Sequence, residues 1–185
     1  MKVVFLDRDG VINEYPGDFN YVKSWEEFHF LPQTKSALKL LTDQNIKIFI
    51  ISNQAGVSKG VYSQGELDRI TENMLSELAQ TGIKIERAMY CIHKPDENCN
   101  CRKPKTGMVE RAISELRNSG HQININNSYF VGDSIKDIET GRAMGLKSIL
   151  VFSGKEKPEN SLSWKTTPDF TCRDIQEAVN IILSS

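Results

Sequence analysis

Hydrophobic and polar positions follow two rhythms along this chain. Short apolar runs end abruptly in polar, glycine-bearing turns. Longer stretches carry apolar residues three and four apart. The runs over 2–6, Ile46–Ile51, Ile85–Ile92, Ser128–Val131 and Lys147–Phe152 read as strands. The first is continuously apolar rather than alternating, which predicts a strand buried on both faces of a parallel sheet. Helical spacing predicts helices over 33–44, from Ser63 to about Gln80, from Thr106 to about Asn118, from Ser134 to Met144 and over Asp174–Leu183. Ser63 and Glu66 make a capping-box signature, and Gly82 fits the C-terminal cap of the same helix. Thr106 and Ser134 are candidate N-caps.

Strands alternate with helices throughout, which predicts a doubly wound, Rossmann-like parallel sheet with helices on both faces. The 185 residues suit a single domain over 1–185, and no repeat, low-complexity segment or linker divides them. Two connections are long. Residues 11–32 contain Tyr15, Phe19, Tyr21 and Trp25, whose rings could line a pocket. Trp25 and Phe28 are read as pinning the loop to the body. Residues 153–169 are polar and loop-like.

Composition narrows the partners. With 23 basic and 24 acidic side chains the formal charge is −1, so no global attraction for nucleic acid or an anionic membrane is expected. The longest apolar runs are too short to span a bilayer. The first strand begins at Lys2, so no signal peptide is expected. The expectation is a cytoplasmic monomer. His29 and His121 have no partners in sequence, and Cys172 reads as a small buried hydrophobe.

The candidate chemistry lies where strands end. Asp7 and Asp9 follow the first strand, Ser52 and Asn53 the second, and Asp133 the fourth. In a doubly wound sheet these ends share one edge and can converge. Two crowded carboxylates repel unless a cation or a shared proton compensates. Asp7, Asp9 and Asp133 make a hard-oxygen site suited to Mg²⁺, which takes a few carboxylates and keeps room for phosphate oxygens. A carboxylate can also attack as a nucleophile and form an acyl-phosphate. Ser52 and Lys103 offer a hydroxyl donor and a fixed positive charge for a transferring phosphoryl group. Arg102 can grip a second anionic group bidentately, while Lys105 is read as solvated. Asp137 is open between a helix cap, support for a metal ligand and a direct ligand.

Cys91, His93, Cys99 and Cys101 follow the pattern Cys-x-His-x₅-Cys-x-Cys. Four soft or borderline donors in one short loop match a closed, structural Cys₃His zinc site. Its task would be to hold an irregular loop and aim Arg102 and Lys103 at the pocket.

The motifs Asp7-Arg8-Asp9-Gly10-Val11-Ile12, Ser52-Asn53-Gln54, Lys103 and Gly132-Asp133-Ser134-Ile135-Lys136-Asp137, in that order, resemble the haloacid dehalogenase (HAD) superfamily of phosphotransferases. The loop Cys91-x-His93…Cys99-x-Cys101-Arg102-Lys103-Pro104 is similar to the zinc-loop branch that contains D-glycero-D-manno-heptose bisphosphate 7-phosphatases and histidinol-phosphate phosphatases. The resemblance implies a HAD-like fold without a large cap domain and a Mg-dependent phosphatase acting on a phosphorylated sugar. It implies Asp7 as nucleophile and Asp9 as acid/base, with Ser52 and Lys103 on the phosphoryl group. It implies Mg²⁺ on Asp7, the Asp9 carbonyl and Asp133. Arg102, Asn53, Gln54 and Tyr21 would meet the substrate. Asn13, Tyr21-Val22 and Glu27-Phe28 look more like the heptose enzymes, while the compact zinc loop is shared with the histidinol enzymes. A zinc-stabilised binding module without catalysis is the alternative from another class.

Overall fold

The apolar runs all lie parallel in one sheet, because each returns through a helix rather than a hairpin. A computed structural model describes all 185 residues. The elements are β1 (Val3–Leu6), α1 (Thr34–Asp43), β2 (Lys47–Asn53), α2 (Gln64–Gln80), β3 (Arg87–Cys91), α3 (Gly107–Asn118), β4 (Tyr129–Gly132), α4 (Ile135–Ala143), β5 (Lys147–Val151), β6 (Phe170–Cys172) and α5 (Ile175–Leu183). The strand order is β3-β2-β1-β4-β5-β6. β1 therefore sits beside both β2 and β4, at the point where the winding direction reverses. Ligand crevices form outside the carboxyl ends of strands at such a point.

Side-chain alternation splits the core in two. Val4, Leu6, Ile48, Ile50 and Val131 face one side, packed by α1, α2 and α5. Val3, Phe5, Phe49, Ile51 and Phe130 face the other, packed by α3. On that second face Phe5 lies between Phe49 and Phe130, with ring centroids 5.7 and 6.3 Å away. Burying a side chain of this kind completely contributes about 1.5–3 kcal/mol. These central strands fix the backbone from which the site residues emerge.

The helix signals hold with one exception. The Glu66 amide donates to Ser63 Oγ at 3.1 Å, as the capping box predicts. Thr106 does precede α3, but its hydroxyl donates to Glu110 Oε1 at 2.6 Å instead of capping the helix. In the long first connection Trp25 and Phe28 stack at 5.0 Å, and Phe30 meets Phe28 edge-on at 5.0 Å. This cluster pins the loop as its aromatics predict.

The C-terminal third corrects the sequence reading. Residues 153–169 include a helical turn over Pro158–Ser163, and a sixth strand follows at Phe170–Cys172. Three residues are too few to show a period. The strand is set by pairing with β5, and by Asp169 Oδ2 accepting from the Ser148 amide and hydroxyl, both at 2.7 Å. Cys172 is buried, as expected. No helix is long and apolar enough to cross a membrane.

Candidate active site

β1 ends in Asp7, and the Asp7 amide still donates to Val131 of β4 at 3.0 Å, so the backbone is held right up to the functional residue. Its carboxylate turns into a buried cluster with Asp133, one residue past β4, and Asp137 in the first turn of α4. Ligand oxygens of the three lie within 4.8 Å of one another. Lys103 enters between them. Its Nζ is 2.9 Å from Asp7 Oδ2, 2.5 Å from Asp137 Oδ1, and donates to the Ile51 carbonyl at 2.8 Å.

The electrostatics are unbalanced. Three carboxylates crowd one ammonium in a largely buried site, with the Asp7 side chain 13% exposed. Burial pushes Asp7 up to about 6, with Lys103 opposing and Asp137 adding to the rise. Burial, then Asp7 and Asp137, raise Asp133 well above its ordinary range. Burial alone would pull Lys103 down, but Asp137 and Asp7 outweigh it and hold the lysine at about 12. Asp137 Oδ1 has the lysine close by but no aligned hydrogen-bond donor. A hard divalent cation fits this set, since it would relieve the excess negative charge and take the unused oxygen.

Glycines make the crowding feasible. A Cβ on Gly10 would lie 2.3 Å from Asp133 Oδ2, and one on Gly154 would lie 2.1 Å from it. Gly10 also has φ +81°, which a larger residue adopts only with strain.

Asp137 combines two of the roles left open for it. Its Oδ2 accepts from the Ser134 amide at 3.1 Å and the Ser134 hydroxyl at 2.6 Å, while Oδ1 faces Lys103. Asp9 is different. Its carboxylate stays out of the acidic cluster, which leaves the main-chain carbonyl as the Asp9 group expected at a metal. Asp9 Oδ1 accepts from Arg8 Nε at 3.1 Å, Arg8 Nη2 at 2.9 Å and Asn13 Nδ2 at 2.9 Å. Oδ2 accepts from Gln54 Nε2 at 2.8 Å. Arg8 is fully buried against Tyr90, whose ring lies 5.8 Å away.

Gln54 and Asn53 were expected on the substrate, and the structure gives both other partners. Buried Gln54 donates to Asp9 and to Ser52 Oγ at 3.2 Å, and accepts from Tyr62 Oη at 2.6 Å. Asn53 clamps the main chain of Lys103 from both ends. Its Oδ1 accepts from the Lys103 amide at 3.0 Å, and its Nδ2 donates to the Lys103 carbonyl at 3.1 Å. Ser52 is buried beside them at the end of β2. Arg8, Asn13 and Tyr62 were given no role at the site from sequence. Arg8 and Asn13 stood beside the Asp7/Asp9 motif, but nothing marked Tyr62, eight residues beyond Gln54.

At the mouth, Arg102 donates to the His93 carbonyl at 3.2 Å and lines a cavity of about 240 Å³ with Lys94, Lys103, Lys105 and Lys136. Tyr21 lines a second cavity, about 260 Å³, formed by residues of the 14–23 segment and Glu27, with its ring 6.0 Å from Tyr62. Lys105 is exposed, as expected, but it is not idle. Its Nζ donates to the Cys99 carbonyl at 2.6 Å and to Asn98 Oδ1 at 3.0 Å, tying down the cysteine loop.

That loop brings its four donors together. Cys91 Sγ lies 3.1 Å from Cys101 Sγ, 3.6 Å from Cys99 Sγ and 3.5 Å from His93 Nδ1, and Cys101 Sγ is 3.2 Å from His93 Nδ1. Zn–S bonds of about 2.3 Å in a tetrahedron put sulfurs about 3.8 Å apart, so the set needs only slight expansion to close on zinc. No disulfide competes for the thiols. Cys91 ends β3 and pairs with Asn53 of β2, so the loop starts beside the residue that clamps Lys103.

Comparison with known proteins agrees with this geometry. A family model described as HAD-hydrolase-like matches residues 100–178. A D-glycero-D-manno-heptose-1,7-bisphosphate 7-phosphatase of Chlorobaculum tepidum is 34% identical over 96% of this chain and 92% of its own. A D-glycero-beta-D-manno-heptose-1,7-bisphosphate 7-phosphatase of Pseudomonas putida is 39% identical over 84% of this chain and 85% of its own. The crystal structure of the D,D-heptose 1,7-bisphosphate phosphatase of B. bronchiseptica, complexed with magnesium and phosphate, superposes with a TM-score of 0.85. It is 30% identical and covers 100% of this chain and 99% of that one.

Proposed function

The chain belongs to the heptose-1,7-bisphosphate 7-phosphatase family of HAD-like hydrolases, and on that premise we propose that it removes the 7-phosphate of a D-glycero-D-manno-heptose 1,7-bisphosphate through an aspartyl-phosphate. One observation carries the mechanism. Asp7 and Asp9 leave the same strand end into opposite surroundings, Asp7 toward Lys103 and the acidic cluster, Asp9 toward Arg8, Asn13 and Gln54. Two carboxylates in unlike environments can take unlike roles.

Asp7 Oδ attacks phosphorus, and the bond to the sugar oxygen breaks. Asp9 gives that oxygen its proton. Asp9 then takes a proton from water as the water attacks the aspartyl-phosphate, which releases inorganic phosphate and restores Asp7. Lys103 and Ser52 meet the equatorial phosphoryl oxygens. Asp7, Asp133 and Asp137, with the Asp9 carbonyl, would hold Mg²⁺, which when bound supplies charge neutralisation for an incoming phosphate. Cys91, His93, Cys99 and Cys101 would hold a structural zinc. Arg102 meets the anionic end of the substrate remote from the reacting phosphate, and Tyr21 borders the sugar.

Phosphate release from heptose 1,7-bisphosphate, histidinol phosphate and p-nitrophenyl phosphate tests this reading. The heptose bisphosphate is expected to have the highest kcat/KM by at least about 100-fold, the weight of about two tenfold steps of 1.4 kcal/mol. Faster turnover of histidinol phosphate would overturn the substrate assignment, and no release from any ester would overturn the reaction.

A further inference from the structure

Residues 14–22 follow directly on Asn13, whose side-chain amide donates to Asp9, and little apolar packing holds their tip. Phe19 is 96% exposed and has φ +64°. Gly17 has φ +95°. What ties this flap to the opposite side is polar. Asp18 Oδ1 accepts from Tyr15 Oη at 2.6 Å and from Lys155 Nζ at 2.6 Å. The far end of that tie is not an ordinary surface loop. The Lys155 amide donates to Asp133 Oδ2 at 2.7 Å, and the Glu156 amide donates to the Asp133 carbonyl at 3.0 Å. Ser153 Oγ donates to the Gly10 carbonyl at 2.7 Å, and Gly154 packs directly on Asp133. One residue thus touches the acidic cluster with its main chain and the flap with its side chain.

We propose that Lys155 is a positioning residue that latches the 14–22 flap over the site through Asp18 and Tyr15, and so sets affinity for the sugar portion of the substrate. The inference rests on the phosphatase reading above for the identity of the substrate, though not for the latch itself. The main-chain half of the contact orients Asp133 whatever side chain stands at 155. The side-chain half acts only on the flap. Removing the ammonium therefore weakens the hold on the flap without removing any group that touches the phosphoryl centre. The cavity formed among the flap's own residues, bordered by Tyr15, Asn20 and Tyr21, is the space that would change shape.

Two measurements on the metal-loaded, full-length protein decide it. Amide hydrogen exchange in Lys155→Met is expected to quicken over residues 14–22 by about two- to fivefold, the weight of an exposed ion pair, and to stay unchanged over 132–137. With heptose bisphosphate, KM should rise by about the same factor while kcat holds. Asp18→Asn should reproduce both effects, the double variant should add little to either single one, and Lys155→Arg should restore them. Unchanged flap exchange in Lys155→Met, or fully additive effects of the two variants, would overturn the latch. Should wild-type protein fail to turn over the bisphosphate, the substrate reading falls, while the exchange measurement still decides the latch.

Discussion

Two clusters of metal-ligating side chains lie close together, and they are built in opposite ways. The cysteine loop gathers its four donors from eleven consecutive positions, on soft atoms, with one donor at the end of β3. The acidic cluster gathers three carboxylates from positions 7, 133 and 137, on hard atoms, and adds a lysine from 103. The first needs only a loop. The second exists only because the sheet places the ends of β1 and β4 side by side. The difference separates a device that shapes backbone from one that does chemistry. It also shows how they connect, since the cysteine loop leads into Arg102 and Lys103, and Lys103 is the cation of the acidic cluster.

The largest effect should come from the acidic side. Asp7→Asn removes the nucleophile and keeps the shape, so kcat should fall by about 10⁴-fold or more. Zinc content and melting temperature should change little. Retained turnover, or lost zinc, would erase the division between the two clusters. Next, Cys101→Ser should abolish stoichiometric zinc and lower the melting temperature. It should also cut kcat by about 10- to 100-fold, because Lys103 loses its support two residues away. If zinc is lost and kcat is untouched, the loop does not aim Lys103. An intermediate test sits on the seam. Asn53→Ala deletes both bonds to the Lys103 main chain, and should lower kcat by about tenfold while zinc stays bound. A fall in zinc instead would place Asn53 with the loop rather than the chemistry.

How far each cluster was legible in sequence follows from the same contrast. Cys91, His93, Cys99 and Cys101 announce themselves, because short-range spacing alone brings them together. Asp7 and Asp133 were legible because strand ends in a doubly wound sheet share an edge, so the topology supplied the long-range step. Asp137 could only be left open, since a capping residue and a cluster member look alike in sequence. Asn53 and Gln54 were placed in the right turn, but their partners within the protein were not foreseen. Which way a side-chain amide points depends on Lys103 and Asp9, and neither direction is encoded locally. Tyr62 and β6 carried no signal at all, as both are fixed by what they contact across the fold.

The smallest effect concerns protons and separates the clusters most cleanly. In protein stripped of divalent metal, burial holds Asp7 at about 6 against an ordinary 3.8, although Lys103 opposes the rise. The folded state therefore binds that proton more tightly than the unfolded state. The stability this contributes is fully present below about 3.8 and is lost as pH rises through about 6. Asp133 shifts in the same direction. A cation on these carboxylates takes over what the proton does, so added Mg²⁺ should raise the melting temperature more at pH 7 than at pH 5. Equal stabilisation at the two pH values would mean that the cation does not compete with those protons and binds elsewhere. The cysteine loop should behave differently. Burial and then the Cys101 thiol hold Cys91 up at about 12, so the proton that zinc displaces is present at both pH 5 and pH 7. Zinc affinity should accordingly rise with pH across the whole interval, its slope easing only as Cys99, lowered to about 7, begins to lose its own proton.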